Sequence, residues 1–342
     1  MAAVEWSFDA LDRLPDLPDW FAELLTAYAG AGRLLGHGIY YSVCNADWTA
    51  EQAAWLERLT RWQQTFPLAH VTEHFGFLTG RDFHRGAPVA PPLNAATLRI
   101  GQDRLQRLQQ ACGRPVGLEN LALAYCPDDV YRQGAFLAEL LRPVNGFCLL
   151  DAHNLYCQAH NFGVDPVVLC NSYPLDRVRE IHISGGSWEA HAQAPGGRVR
   201  RDTHDERVPE PVWAMLAFLL RRCPSLGFVT LEQLGPALGT PEQRAGFRAD
   251  FQRLEELLSS ETPQAEVQRF KPPAPTPLGE PWRDAKLLRE QRLLSSLLEQ
   301  SPSASELHKR LATSDLRHSD WRVEDWAPHM LETARLVARK WA

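Results

Sequence analysis

Short apolar runs alternate along this chain with longer stretches whose apolar residues recur at helical spacing. The runs at 34–43, 69–77, 116–120, 146–150, 178–184, 199–202 and 227–231 read as strands. Between them lie helical signals. Thr49 and Gln52 form a capping box ahead of a helix with Trp55, Leu56, Leu59 and Trp62 on one face. Asn94 caps a helix running to about Gln110, residues 128–141 are helical, and Asp165-Pro166 opens a short helix. Pro209 precedes a helix over 212–220, and a further helix covers 241–258. Strand–helix repetition of this kind means a parallel sheet covered on both faces, or a closed barrel. A doubly wound sheet would show a Gly-rich phosphate loop after its first strand, and none is present. The expected fold is therefore α/β, a TIM-type (β/α)8 barrel. Its first strand is irregular, because residues 1–33 offer only 4–8.

From residue 259 the pattern changes. Residues 271–277 form a Pro-rich extended run. Amphipathic helices follow over 284–300, after a Ser303 cap, and over 326–341. The expected organisation is a metal-binding barrel at 1–258, a linker at 259–282 and a helical C-terminal appendage at 283–342.

The strand-like runs share one property: they carry or end on a polar group. The apolar run 146–150 ends on Asp151, with Asn154 soon after. His37, His74, Glu119, His182 and Glu232 take the same place in other runs, and Asp202 and His204 follow another. In a barrel of this kind the carboxyl ends of the strands carry the chemistry. Singly, each residue has a plain structural explanation, since a lone histidine in an apolar strand is usually hydrogen-bonded core. Their shared register does not. Carboxylates buried together cost several kcal/mol each, roughly, unless cations offset them. Four imidazoles, four carboxylates and one amide, without thiolate, suit Fe, Mn or Zn.

Composition narrows the picture further. A hydrophobic content of 44% supports a sizeable core, and a net charge of −6 gives no general attraction to nucleic acid or anionic membrane. No apolar run is long enough to span a bilayer, and acidic residues near the N-terminus argue against a signal peptide. The seven cysteines are scattered, with no C-x-x-C pair, and read as thiols in a reducing cytoplasm.

Several motifs fall in a recognisable order: His37-Gly38, Glu73-His74-Phe75-Gly76, Glu119-Asn120, Asp151-x-x-Asn154-x-Tyr156, Asn161-x-Gly163-x-Asp165-Pro166, His182-x-x-Gly185, Asp202-Thr203-His204 and Leu231-Glu232. With them the chain resembles the multinuclear non-heme iron-dependent oxidative enzymes, the family of the methanobactin-biosynthesis iron oxidase and the cysteine-processing enzyme of the thiaglutamate pathway. The resemblance spans roughly residues 34–235. It implies a TIM-type barrel with two or three irons that uses dioxygen to oxidise a residue, usually cysteine, of a ribosomally made precursor peptide recruited by a partner protein. It also implies a ligand set. His37, His74 and Glu119 would hold one iron. Glu119 would bridge to a second, held by Asp151, His182 and Glu232, and Asn154, Asp202 and His204 would hold a third. The chain departs from the family at its start, which lacks the family's Gly-rich opening strand. It departs again at two later positions: His153 stands where Asn is frequent, and Gly186 where a second His is frequent. Two other readings are a non-oxidative divalent-metal barrel, of isomerase or phosphoesterase type, and a non-catalytic scaffold.

Overall fold

The computed structural model describes residues 2–10, 17–79, 88–260 and 270–339. Seven parallel strands form one sheet in sequential order: β1 (Val4–Trp6), β2 (Leu34–Gly38), β3 (Val71–His74), β4 (Val116–Glu119), β5 (Phe147–Asp151), β6 (Val178–Ile183) and β7 (Phe228–Leu231). The sheet curls into a nearly closed TIM-type barrel. The irregular first strand expected near residues 4–8 is β1, which pairs in parallel with β2. Register aligns the strand ends: His74 lies beside Glu119, and Asp151 beside His182. The carboxylates and imidazoles thus reach one level by pairing alone.

Helices α1 (Asp19–Gly30), α2 (Ala50–Thr65), α3 (Ala95–Cys112), α4 (Pro127–Leu141), α5 (Ala152–Phe162), α6 (Pro166–Asn171), α7 (Glu210–Leu220) and α8 (Pro241–Ser260) accompany the sheet. The Thr49–Gln52 capping box and the Asn94 cap are present as the sequence indicates. Two elements differ from expectation. Asp151 accepts the Asn154 backbone N–H and so caps α5 directly, with no turn between strand and helix. His153 and Asn154 therefore ride on the first helical turn. The run expected as a strand over 199–202 is instead Arg198–Arg200, which pairs with Trp188–Ala190 in a separate antiparallel hairpin.

The Pro-rich run is extended and docked. Phe270 is buried against Phe147 with Arg177 over its ring, and Gln110, Arg107 and Arg104 donate to the carbonyls of Thr276, Gly279 and Trp282. It leads into α9 (Ala285–Gln300), α10 (Ala304–Ala312) and α11 (Pro328–Arg339). Leu287, Leu294, Leu298, Leu311 and Met330 of these helices belong to the same buried cluster as the barrel's apolar residues. No helix among the described residues is long and apolar enough to cross a membrane.

Gln291 of α9 joins tail and barrel. Its buried amide accepts the Ala46 N–H at 2.9 Å and donates to the Cys44 carbonyl at 2.8 Å. Truncating it strands two buried backbone groups. Gln291→Ala is expected to cost roughly 2–4 kcal/mol in chemical denaturation. A loss below about 1 kcal/mol would mean that water replaces the amide.

Candidate metal centre

The nine candidate residues meet in one connected group at the carboxyl end of the barrel. His37 Nε2 and His74 Nε2 each lie 3.3 Å from Glu119 Oε2. Glu119, Asp151 and His182 form a second cluster of close donor atoms that shares Glu119. Glu232 lies 3.2 Å from His182 Nδ1 and 3.4 Å from His204 Nδ1. Asn154 donates to Glu119 Oε1 at 3.0 Å, and Asp202 Oδ1 faces His204 Nε2 at 2.9 Å. At Gly38, which follows His37, an added Cβ would lie 2.5 Å from Glu73 Oε1, so the backbone passes there only without a side chain.

Hydrogen bonds behind each imidazole fix which nitrogen carries the proton. Thr72 donates its hydroxyl to the Gly36 carbonyl, so it accepts from His37 Nδ1–H at 2.8 Å. His74 Nδ1–H donates to the Gly38 carbonyl at 3.1 Å. His182 Nε2–H donates to Glu5 at 3.1 Å, and His204 Nε2–H faces Asp202. Each ring in its neutral form therefore turns a lone pair inward: Nε2 of His37 and His74, Nδ1 of His182 and His204. Metal-ligating histidines are oriented in this way.

Five donor atoms of this group are buried without a hydrogen-bond partner: Glu119 Oε2, Asp151 Oδ2, Asn154 Oδ1, His182 Nδ1 and His204 Nδ1. Lone pairs of imidazole and carboxylate facing one another at 3.2–3.4 Å repel unless a proton or cation lies between them. The titration behaviour carries the same strain. Burial lowers His37, yet Glu5 and Glu119 outweigh it and push the imidazole up to about 10. Burial likewise acts against His204, and Asp202 and Glu232 push it up to about 10. Burial, aggravated by Glu119 and Asp202, raises the Asp151 carboxyl well above its ordinary range. The group is short of positive charge, and a divalent cation would supply it. The donors are nitrogen and oxygen only. The cysteines are buried, and none is in a ligand cluster among the described residues.

Glu5, from β1, escapes the sequence reading, as does Glu180, which lies 3.6 Å from His182 Nε2. Glu180 in turn accepts from His70 at 2.7 Å and from Thr230 at 3.0 Å. Asp9 accepts the backbone N–H groups of Ile39 and Tyr40 and the Trp55 indole, and so pins the loop after His37. The only advance signal for Glu5 and Asp9 is a pair of acids in an otherwise unpatterned segment. His153 accepts from Arg200 Nε at 3.1 Å and lies 3.1 Å from Asp202 Oδ1, to which its Nδ1–H donates. Its ring lies 2.8 Å from where a Cβ at Gly186 would stand, and the Arg201 carbonyl lies 2.2 Å from that point. The departures from the family at 153 and 186 are therefore in contact, and position 186 has no room for a side chain.

Above this floor is a cavity of about 460 Å³. His37, His74, Glu119, Asn154, Asp202, His204 and Glu232 line its base. Apolar side chains, among them Ile39, Leu121, Leu123 and Leu234, line its walls with residues of α11.

Among solved structures, the chain is similar to the IOLI protein with a bound zinc atom (TM-score 0.49, 11% identity, 76% of this chain and 88% of that one). It is also similar to endonuclease IV from Thermus thermophilus (TM-score 0.46, 16% identity, 75% and 90%). Among curated sequences it is 32% identical over 190 residues to a UPF0276 protein of Anaeromyxobacter sp. (strain Fw109-5), covering 54% of this chain and 63% of that protein. It is 28% identical over 232 residues to a UPF0276 protein of Acaryochloris marina, covering 62% and 78%. The matched stretch is thus under two-thirds of the Anaeromyxobacter protein's own length. Residues 16–233, which hold most of the barrel and all nine converging residues, match the model for RiPP precursor modification enzymes MbnB/TglH/ChrH, and the chain belongs to that family.

Proposed function

We propose that this chain is a multinuclear non-heme iron enzyme that uses dioxygen to oxidise a cysteine residue of a ribosomally made precursor peptide. One observation carries the reading: the five buried, unpartnered donor atoms on Glu119, Asp151, Asn154, His182 and His204, in a chain of a peptide-modifying family. These residues fit a set of divalent cations. His37, His74 and Glu119 would hold the first position. Glu119 would also reach the second, with Asp151, His182 and Glu232, and Asn154 and His204 would belong to the third, with Asp202 orienting His204 from behind its inward nitrogen. When bound, iron supplies one-electron chemistry between dioxygen and a coordinated thiolate.

The chain's own residues prepare that chemistry. Thr72, the Gly38 carbonyl, Glu5 and Asp202 hold the four imidazoles with their lone pairs inward. Asn154 steadies the bridging carboxylate from its free edge. The cavity leaves room for a side chain above the floor, beside apolar wall residues. A partner protein that delivers the peptide belongs to the proposal. The third position is the weakest, because Asp202 Oδ1 already serves two imidazoles.

Metal analysis of protein prepared without oxygen, followed by dioxygen uptake with a cysteine-containing peptide, tests the reading. Two to three irons with peptide-dependent uptake are expected by the family resemblance. Zinc or manganese without uptake would favour a non-oxidative barrel, and no metal would favour a scaffold. The bridging carboxylate should matter twice: Glu119→Gln should lose metal from two positions, and His74→Ala from the first alone. Equal losses in both variants would remove Glu119 from its bridging place.

Asp151→Asn should act with opposite signs on stability and on metal content. The amide keeps the α5 cap but removes a carboxyl that burial penalises when it ionises. Metal-free Asp151→Asn should therefore be more stable than wild type by roughly 1–3 kcal/mol at neutral pH. The folded-state value of Asp151 is raised, so the wild type is penalised only once the unfolded chain ionises. The gain should vanish below the ordinary value of 3.8 and grow as pH rises through it. Metal content of the variant should fall. Denaturation of chelated protein across pH checks the first effect, and metal analysis the second.

A further inference from the structure

The cavity over the metal floor has a ceiling from outside the family-matched stretch. Met330, Thr333, Leu336 and Val337 of α11 line it, whereas the family match ends at residue 233. Residues 330, 333 and 337 share one face of the helix by spacing, with 336 beside them. Leu331, Ala334 and Ala338 are buried, and α11 packs on α9 and α10. The helix is thus apolar on two sides. One side is spent on the protein's core. The other is only half-buried at Thr333, Leu336 and Val337, and it looks into the cavity.

This helix is a fixed wall. At its start, the Ala327 N–H donates to the Tyr125 carbonyl, and Trp326 stacks on Tyr125 at 3.8 Å with planes 3° apart. His329 Nε2–H donates to the Asn161 carbonyl at 2.8 Å. At its end, Arg339 donates to the carbonyls of Glu299 and Ser301. Held at both ends, the apolar face cannot turn away from the site, so whatever occupies the cavity meets it. A chain segment that lowers its reacting side chain to the metal floor must set its neighbouring side chains against this ceiling. Against the apolar face of α11 a charged neighbour would be desolvated with no partner on that face, and an aliphatic one would gain; Arg200 and Arg201 line a different part of the cavity.

We propose that α11 is the specificity-determining wall of the site, and that it selects peptides in which the residue to be modified is flanked by apolar side chains. The inference rests on the reading of the cavity as a peptide site.

Calorimetric titration tests it with two probes, acetyl-Leu-Cys-Leu-amide and acetyl-Ser-Cys-Ser-amide, under nitrogen; the neutral serine probe avoids attraction to Arg200 and Arg201. Wild-type protein should bind the first at least about tenfold more tightly, the scale of one buried aliphatic side chain. Leu336→Asp should lose that preference while metal content stays at the wild-type level. Thr333→Glu, at a position that is already polar, serves as a second variant, and thermal melting confirms that both fold. Equal binding of the two probes by wild type, no binding of either, or a preference that survives in both variants overturns the proposal. The same pair with alanine in place of cysteine needs no metal. A leucine preference in that pair, by protein that takes up no iron, would sink the iron reading and leave the wall standing.

Discussion

Several lone pairs of the barrel's carboxyl end are buried facing one another, and the rest of the site follows from that repulsion. Glu119, Asp151 and Glu232 lie among four imidazoles whose inward nitrogens face carboxylates and carry either a proton or a lone pair open to a cation. Such a group persists only if something holds each ring from behind and something positive joins the ring of donors. The first requirement explains polar residues that would otherwise be misplaced in a barrel core: Thr72 under His37, and Glu5 and Glu180 behind His182. The second explains why removing the acids one by one is not a conservative change. Each supplies a different share of the negative charge that a cation would offset.

Part of this arrangement is legible in the amino-acid sequence. His37, His74, Glu119, Asp151 and His182 stand at or near the ends of apolar runs, and parallel pairing turns that repeated position into one spatial level. Asn154, Asp202 and His204 are legible as residues but not as structure. Asp151 ends a strand and caps a helix at once, which hides α5, and a hairpin outside the sheet delivers the run before Asp202. Glu5 is hidden for a different reason. A three-residue strand has too few positions to show alternation, and its carboxylate points to a residue far along the chain.

The C-terminal helices show how an amphipathic pattern can understate a role. A single apolar stripe on α9 marks it as a docked helix, and it is one. The stripes of α11 are two, and a pattern read for one buried face merges them. The Pro-rich run likewise reads as a spacer, yet its carbonyls are taken up by Arg104, Arg107 and Gln110, and Phe270 anchors its start. Proline here removes donors from a strand that lies on the surface of other elements and needs only acceptors.

The hydrogen bond from His182 to Glu5 has a consequence for the order of assembly. It spans 177 positions, joining the first strand to the sixth. Contacts so far apart in sequence close large loops and form late. His37, His74 and Glu119 come from consecutive strands and can gather earlier. An ion meeting the chain before β6 is in place would find only that half of the centre, with His182 not yet held by Glu5. If the centre holds metal as proposed, loading would be tied to completion of the barrel, and the count of bound ions would record how far the chain has folded.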